Sequence, residues 1–207
     1  MIRRMEWSTR SADGGGHTSG SPASGGQTAG RSGSRGVAIG AGFVLVGAVA
    51  LGALRFLGGS PVERDTQGAL AAAALVAPYA AAAYLALVGR RDRPWLVAAA
   101  GTVLIPLSFV SFAGVTLPFL VAAAVFLRQG LGGPRRWRPA GVVTAFVAVL
   151  ALVASVVLLF VHQDPATWET ATGGGSTSDI VTTRESLRSL LVVTGAVGLA
   201  TFVPPRP

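Results

Sequence analysis

The sequence predicts an all-α protein, a polytopic transmembrane helical bundle of about six spans preceded by a disordered N-terminal tail. Three observations carry that expectation. Only 13% of the 207 residues are charged and 51% are hydrophobic, whereas an ordinary soluble domain has roughly a quarter of its residues charged. The apolar residues gather in five long runs, at about 36–57, 68–89, 95–127, 140–161 and 189–203. All seventeen basic residues are arginine, and they cluster between these runs against nine acids, for a net charge of +8.

Residues 1–35 are rich in Gly, Ser and Thr with scattered Arg. Such a segment buries too little apolar surface to offset the entropy of ordering, so it reads as a disordered cytoplasmic tail. Arg3-Arg4 has the form of a twin-arginine targeting pair, but roughly thirty polar residues follow where the apolar core of a signal would begin. The first span is therefore expected to act as an uncleaved anchor, opening a helical membrane domain over 36–207.

A helix needs about 20 residues, at 1.5 Å each, to cross a hydrocarbon core of about 30 Å. The spans 36–57, 68–89 and 140–162 satisfy this singly. The run 95–127 does not, because as one helix it would reach about 50 Å. Pro106 and Pro118 flank Ser111 to Gly114 at its centre, so it is expected to fold back as two short arms, 95–111 and 114–128. Arms this short leave a re-entrant hairpin as the competing arrangement. The last span, 186–203, is short; Thr182 with Glu185 three residues later forms a capping-box pattern that starts it, and Pro204 and Pro205 end it.

Charge sets the orientation. With the hairpin in place, the tail arginines, Arg90, Arg91 and Arg93, then Arg128, Arg135, Arg136 and Arg138, and finally Arg206 fall on one side. Arg55, Arg64, Arg184 and Arg188 fall on the other, facing Glu63, Asp65, Asp164, Glu169, Asp179 and Glu185. Cytoplasmic loops collect arginine and lysine, so both termini are expected in the cytoplasm and the protein in the plasma membrane. The lack of both Lys and Asn suggests a GC-rich bacterial genome. The segment 163–187 is then the one sizeable external loop.

Candidate functional residues fall into three groups. Gly36, Gly40, Ala48 and Gly52 in the first span and Gly198 in the last, four residues after Thr194, allow close helix packing. Pro78, Pro106, Gly114 and Pro118 are candidate kink or hairpin positions, of the kind that open substrate sites in some transporters. Arg90, Arg91, Arg93, Arg135, Arg136, Trp137 and Arg138 are expected to meet anionic lipid head groups. The pattern Arg-Arg-x-Arg-Pro occurs at both 90–94 and 135–139; a helix starting at the cytoplasmic face accounts for each copy without a true repeat.

The apolar runs hold no ionisable residue near mid-span, so proton-relay chemistry is not expected. Thr102, Ser108, Ser111, Thr116, Thr144, Ser155 and Thr194 are the hydroxyls at membrane depth, expected to bond across helices or back to their own turns. There is no Cys, and His162, Asp164, Glu169 and Asp179 follow no metal or catalytic spacing. No cofactor, metal, nucleic acid or enzymatic activity is expected. The sequence points instead to a helix-packing or accessory subunit, with itself or another membrane protein as partner. The alternative is a permease-like transport component for a neutral or hydrophobic solute.

Overall fold

The structure, a computed structural model, describes residues 26–58, 66–110, 113–132, 139–161, 163–170 and 173–202. Among these are six helices: α1 Gly26–Gly58, α2 Thr66–Asp92, α3 Pro94–Val110, α4 Ala113–Leu131, α5 Pro139–Val161 and α6 Thr183–Phe202. Stretches of α1 (Ser34–Leu57), α2, α5 and α6 are long and apolar enough to cross a membrane, while α3 and α4 are shorter. The chain is a helical membrane protein. The expected tail lies outside the described residues as far as residue 25, and α1 already begins at Gly26, inside the segment expected to be tail. The arginine-rich stretch 133–138, with Arg135, Arg136, Trp137 and Arg138, also lies outside the described residues.

The helices run alternately up and down. Gly89 of α2 packs beside Leu96 of α3, Gly130 of α4 beside Ala98 of α3, and Gly47 of α1 beside Phe119 of α4. The close approaches depend on residues without a Cβ. One built on Gly52 would stand 2.6 Å from Val76 Cγ2, and one on Gly40 would stand 2.9 Å from the Phe126 ring, against an ordinary carbon contact of about 3.5–4.0 Å. Gly40, Ala48 and Gly52 thus serve packing within the chain, with Ala48 wholly buried. Gly198 does not, since nothing lies within 4 Å of its Cβ position.

Two helices share the centre: α2 touches α1, α3, α5 and α6, and beside it α3 touches α2, α4 and α5. Of the two, α3 is the more continuously buried. Its first turns, from Trp95 through Gly101, are buried on every side, which is why the segment reads as apolar all round rather than striped. Tyr79, Phe119, Phe126, Leu85, Leu96 and Leu104 fill the core between small residues such as Ala82, Ala86 and Ala100. The outer faces of α1 and α5 present Phe43, Val46, Val143 and Phe146, all exposed. Water would make such a surface an aggregation site; hydrocarbon makes it the natural exterior.

The segment expected to be an external loop carries an antiparallel hairpin, β1 Gln163–Thr170 and β2 Gly173–Val181, with Gln163 opposite Val181 and Trp168 opposite Gly175. Its register breaks between Asp164 and Ala166, at Pro165, where the ladder lacks an N–H. The glycines and polar residues of β2 obscure the strand in the sequence, since neither favours a pleated, half-buried surface.

Candidate functional site, a polar layer at the end of the central hairpin

The α3–α4 pair stops short of its neighbours. Gly89 is level with Leu96, so Val110, at the end of α3, stands near residue 75 of α2, about 14 Å below the start of that helix at 1.5 Å per residue. The pairing of Gly47 with Phe119 puts Ala113 roughly 8 Å below the end of α1 by the same rise. The helices run without interruption through Pro78, Pro106 and Pro118, and Gly114 lies in the first turn of α4, so the chain changes direction between the end of α3 at Val110 and the start of α4 at Ala113.

A helix that ends inside the bundle must find donors for its last four carbonyls. Two come from neighbouring helices. The buried Tyr79 hydroxyl of α2 donates to the Leu107 carbonyl at 2.8 Å, and the Thr116 hydroxyl of α4 donates to the Ser108 carbonyl at 3.1 Å. The Tyr79 ring also rests against Phe119 at a centroid distance of 5.0 Å. The Ser108 hydroxyl turns back to Ile105 at 2.6 Å.

Other hydroxyls stand at about this height. Gly141 of α5 meets Trp95, which places Ser155 beside the level of Phe109; its hydroxyl donates to the Leu152 carbonyl at 2.7 Å. The height of α6 is fixed by Arg93, whose guanidinium donates to the Thr201 carbonyl near its end at 3.0 Å, and by Gln67, whose amide donates at 3.0 Å to the carbonyl of Val181, the last residue of β2, two residues before the helix starts. Ser189, between those anchors, falls near the level of Pro78. Tyr79, Ser108, Ser155 and Ser189 are all completely buried. They form, with Thr116, a layer of neutral hydroxyls drawn from five helices. Ser189 Oγ is the buried side-chain polar atom without a hydrogen-bond partner among the described residues. Thr102, Thr144 and Thr194 bond back to Ala98, Ala140 and Leu190 of their own helices.

Toward the hairpin end of α6 the buried face becomes more polar. Thr182 caps the helix, its hydroxyl accepting from the Glu185 N–H at 3.3 Å, which is half of the expected capping box. The Glu185 carboxylate turns instead to Arg188, at 2.7 Å, with side-chain exposures of 6% and 46%. Arg188, one of the arginines expected to face the outer acids, serves this buried carboxylate. Ser186, one residue on, donates to the Thr182 carbonyl at 3.1 Å. The spacing 182, 185, 186, 189 marks this stripe in the sequence as one helix face, but only the packing reveals that it is the buried one.

Among the head-group candidates, Arg90 and Arg91 are exposed in the last turn of α2, where cations complement the helix dipole. Arg93 is bound to α6, supplying the donor that the last carbonyls of that helix lack. Gly36 is only in ordinary contact with Val125 and Gln129. No three His, Cys, Asp or Glu side chains come together among the described residues to hold a metal. Comparison with protein families, with curated proteins and with solved structures finds no match.

Proposed function

We propose that this chain is a non-enzymatic helix-packing subunit of a larger membrane assembly, and that α6 is the helix it offers to a partner. The observation that carries the reading is a contrast among its glycines. Gly40, Gly47, Gly52, Gly89 and Gly130 each accommodate a neighbouring side chain or backbone closer than a Cβ would allow. Among the described residues, α1 has one open position, Gly42, whereas Gly195 and Gly198 meet nothing within 4 Å and give α6 two such positions one turn apart. Each costs about 0.5–1 kcal/mol of helix stability relative to alanine. They share the outward side of α6 with Leu191 and Phe202, which are 72% and 87% exposed, giving the small-and-large face that lets transmembrane helices approach closely. In this reading the termini face the cytoplasm, and Arg90 and Arg91 rest among anionic head groups.

The absence of native Cys makes the test direct. Gly198→Cys in membranes, treated with a short thiol cross-linker, is expected to give a species larger than the 20.9 kDa chain, with a Val147→Cys control on α5 giving none. A product of twice the mass identifies a second copy, any other mass a different subunit. A chain that stays single in mild detergent and cross-links at neither position overturns the proposal.

The buried, unpartnered Ser189 hydroxyl favours a second reading, a transport component for a small neutral solute passing the polar layer. Flux of candidate solutes into vesicles, unchanged by Ser189→Ala and Tyr79→Phe together, removes its support.

A further inference from the structure

We infer that the groove between α1 and α4 binds one acyl chain of an anionic phospholipid, whose head group is held by Arg35, Arg128 and Gln129. The groove has a volume of about 510 Å³ and is lined by apolar residues, with Gly36, Gly40 and Phe43 on one wall and Leu117, Val121 and Val125 on the other. That volume lies within the usual range for bound organic ligands, roughly 300–1,000 Å³. Phe43, Leu117 and Val121 are exposed, so the groove opens sideways into the bilayer, where a lipid chain can enter without crossing water.

Its length and its polar end select the ligand. From Gly36 to Phe43 is about 10 Å along α1 and from Leu117 to Val125 about 12 Å along α4. One leaflet of hydrocarbon is roughly 15 Å deep, so the groove accommodates most of a single chain. It is glycine that leaves this space, because a side chain at Gly36 would project toward Val125 and the Gln129 amide, 3.8 and 4.0 Å from its Cβ. At this same end Arg35, Arg128 and Gln129 are all exposed. Neither arginine side chain has a partner among the described residues. Two cations and an amide donor beside an apolar slot match a phosphodiester carrying net negative charge; a zwitterionic head group would set its own cation against them. The site is separate from the α6 face and does not depend on the proposed function.

The test is native mass spectrometry of the full chain, from mixed micelles holding equal phosphatidylglycerol and phosphatidylcholine. The wild type is expected to retain one phosphatidylglycerol in preference to phosphatidylcholine. Arg35→Gln with Arg128→Gln should weaken that preference by about fivefold per arginine, roughly 30-fold together. Gly36→Leu, whose Cβ has room, should fill the slot and abolish retention of either lipid; Val121→Trp serves the same purpose if the first variant loses its helical circular dichroism. Equal retention of the two lipids by the wild type overturns the proposal. So does a preference that survives the arginine pair, or retention that survives both groove-filling variants.

Discussion

Replacing Gly130 with alanine tests the close packing of the central hairpin against a number fixed by geometry. The added Cβ would stand 2.5 Å from the Ala98 nitrogen, 2.7 Å from its Cβ and 2.8 Å from its Cα. Ordinary contact needs about 3.5–4.0 Å, so α4 and α3 must part locally by roughly 1 Å. The obstacle is largely backbone, which no rotamer change can move aside. Overpacking of this kind costs about 1–3 kcal/mol, from which helix propensity returns up to about 1 kcal/mol. Because the obstacle is backbone, the cost is taken at the middle of that range or above, and the expected net loss is about 1–2 kcal/mol, larger if the whole hairpin separates, since a gap of that size forfeits a quarter to a half of each dispersion contact it opens. Equilibrium unfolding in mixed dodecylmaltoside and dodecyl sulfate micelles, followed by circular dichroism, measures it. Gly195→Ala is the control: with nothing within 4 Å, it should gain about 0.5–1 kcal/mol from propensity alone when the chain is monomeric. A Gly130→Ala chain as stable as the wild type would refute the packing argument.

Three further outcomes are expected. Tyr79→Phe keeps the ring beside Phe119 but withdraws a donor from the Leu107 carbonyl, and should destabilise the bundle by about 1 kcal/mol and at most about 2; no change in unfolding would mean that the carbonyl finds another donor. Ser189→Ala removes a buried hydroxyl without a partner and should be neutral or stabilising by up to about 1 kcal/mol; a loss of stability would show the hydroxyl to be engaged by water or solute. Val110→Cys at the hairpin end should react with a membrane-impermeant maleimide several-fold more slowly than Arg184→Cys, because the hairpin ends roughly 8–14 Å below the ends of its neighbours; equal rates would place both at the surface.

Much of the architecture was legible in the sequence, for reasons that can be traced to residues. Lipid requires long uninterrupted apolar stretches, so each of α1, α2 and α5 announces itself by length alone. The excess length of 95–127 forces a reversal, and the structure ends α3 at Val110 and starts α4 at Ala113, between the prolines expected to flank the turn. Thr182 caps α6 as the pattern with Glu185 suggested. The β-hairpin escaped notice because Gly173 to Gly175 and the polar residues after them carry no alternation.

What the sequence by itself determined is the solvent and the approximate segments, because composition and run length are local quantities that the bilayer reads directly. Which face of each helix is buried is not local. Gly40 and Gly198 have the same small-residue signature, yet one receives the Phe126 ring and the other faces open space. Arg93 and Arg90 belong to one arginine cluster, yet only Arg93 has the Thr201 carbonyl within reach. Only the tertiary structure decided these, because a segment apolar on all sides has no preferred inward face until its neighbours supply one.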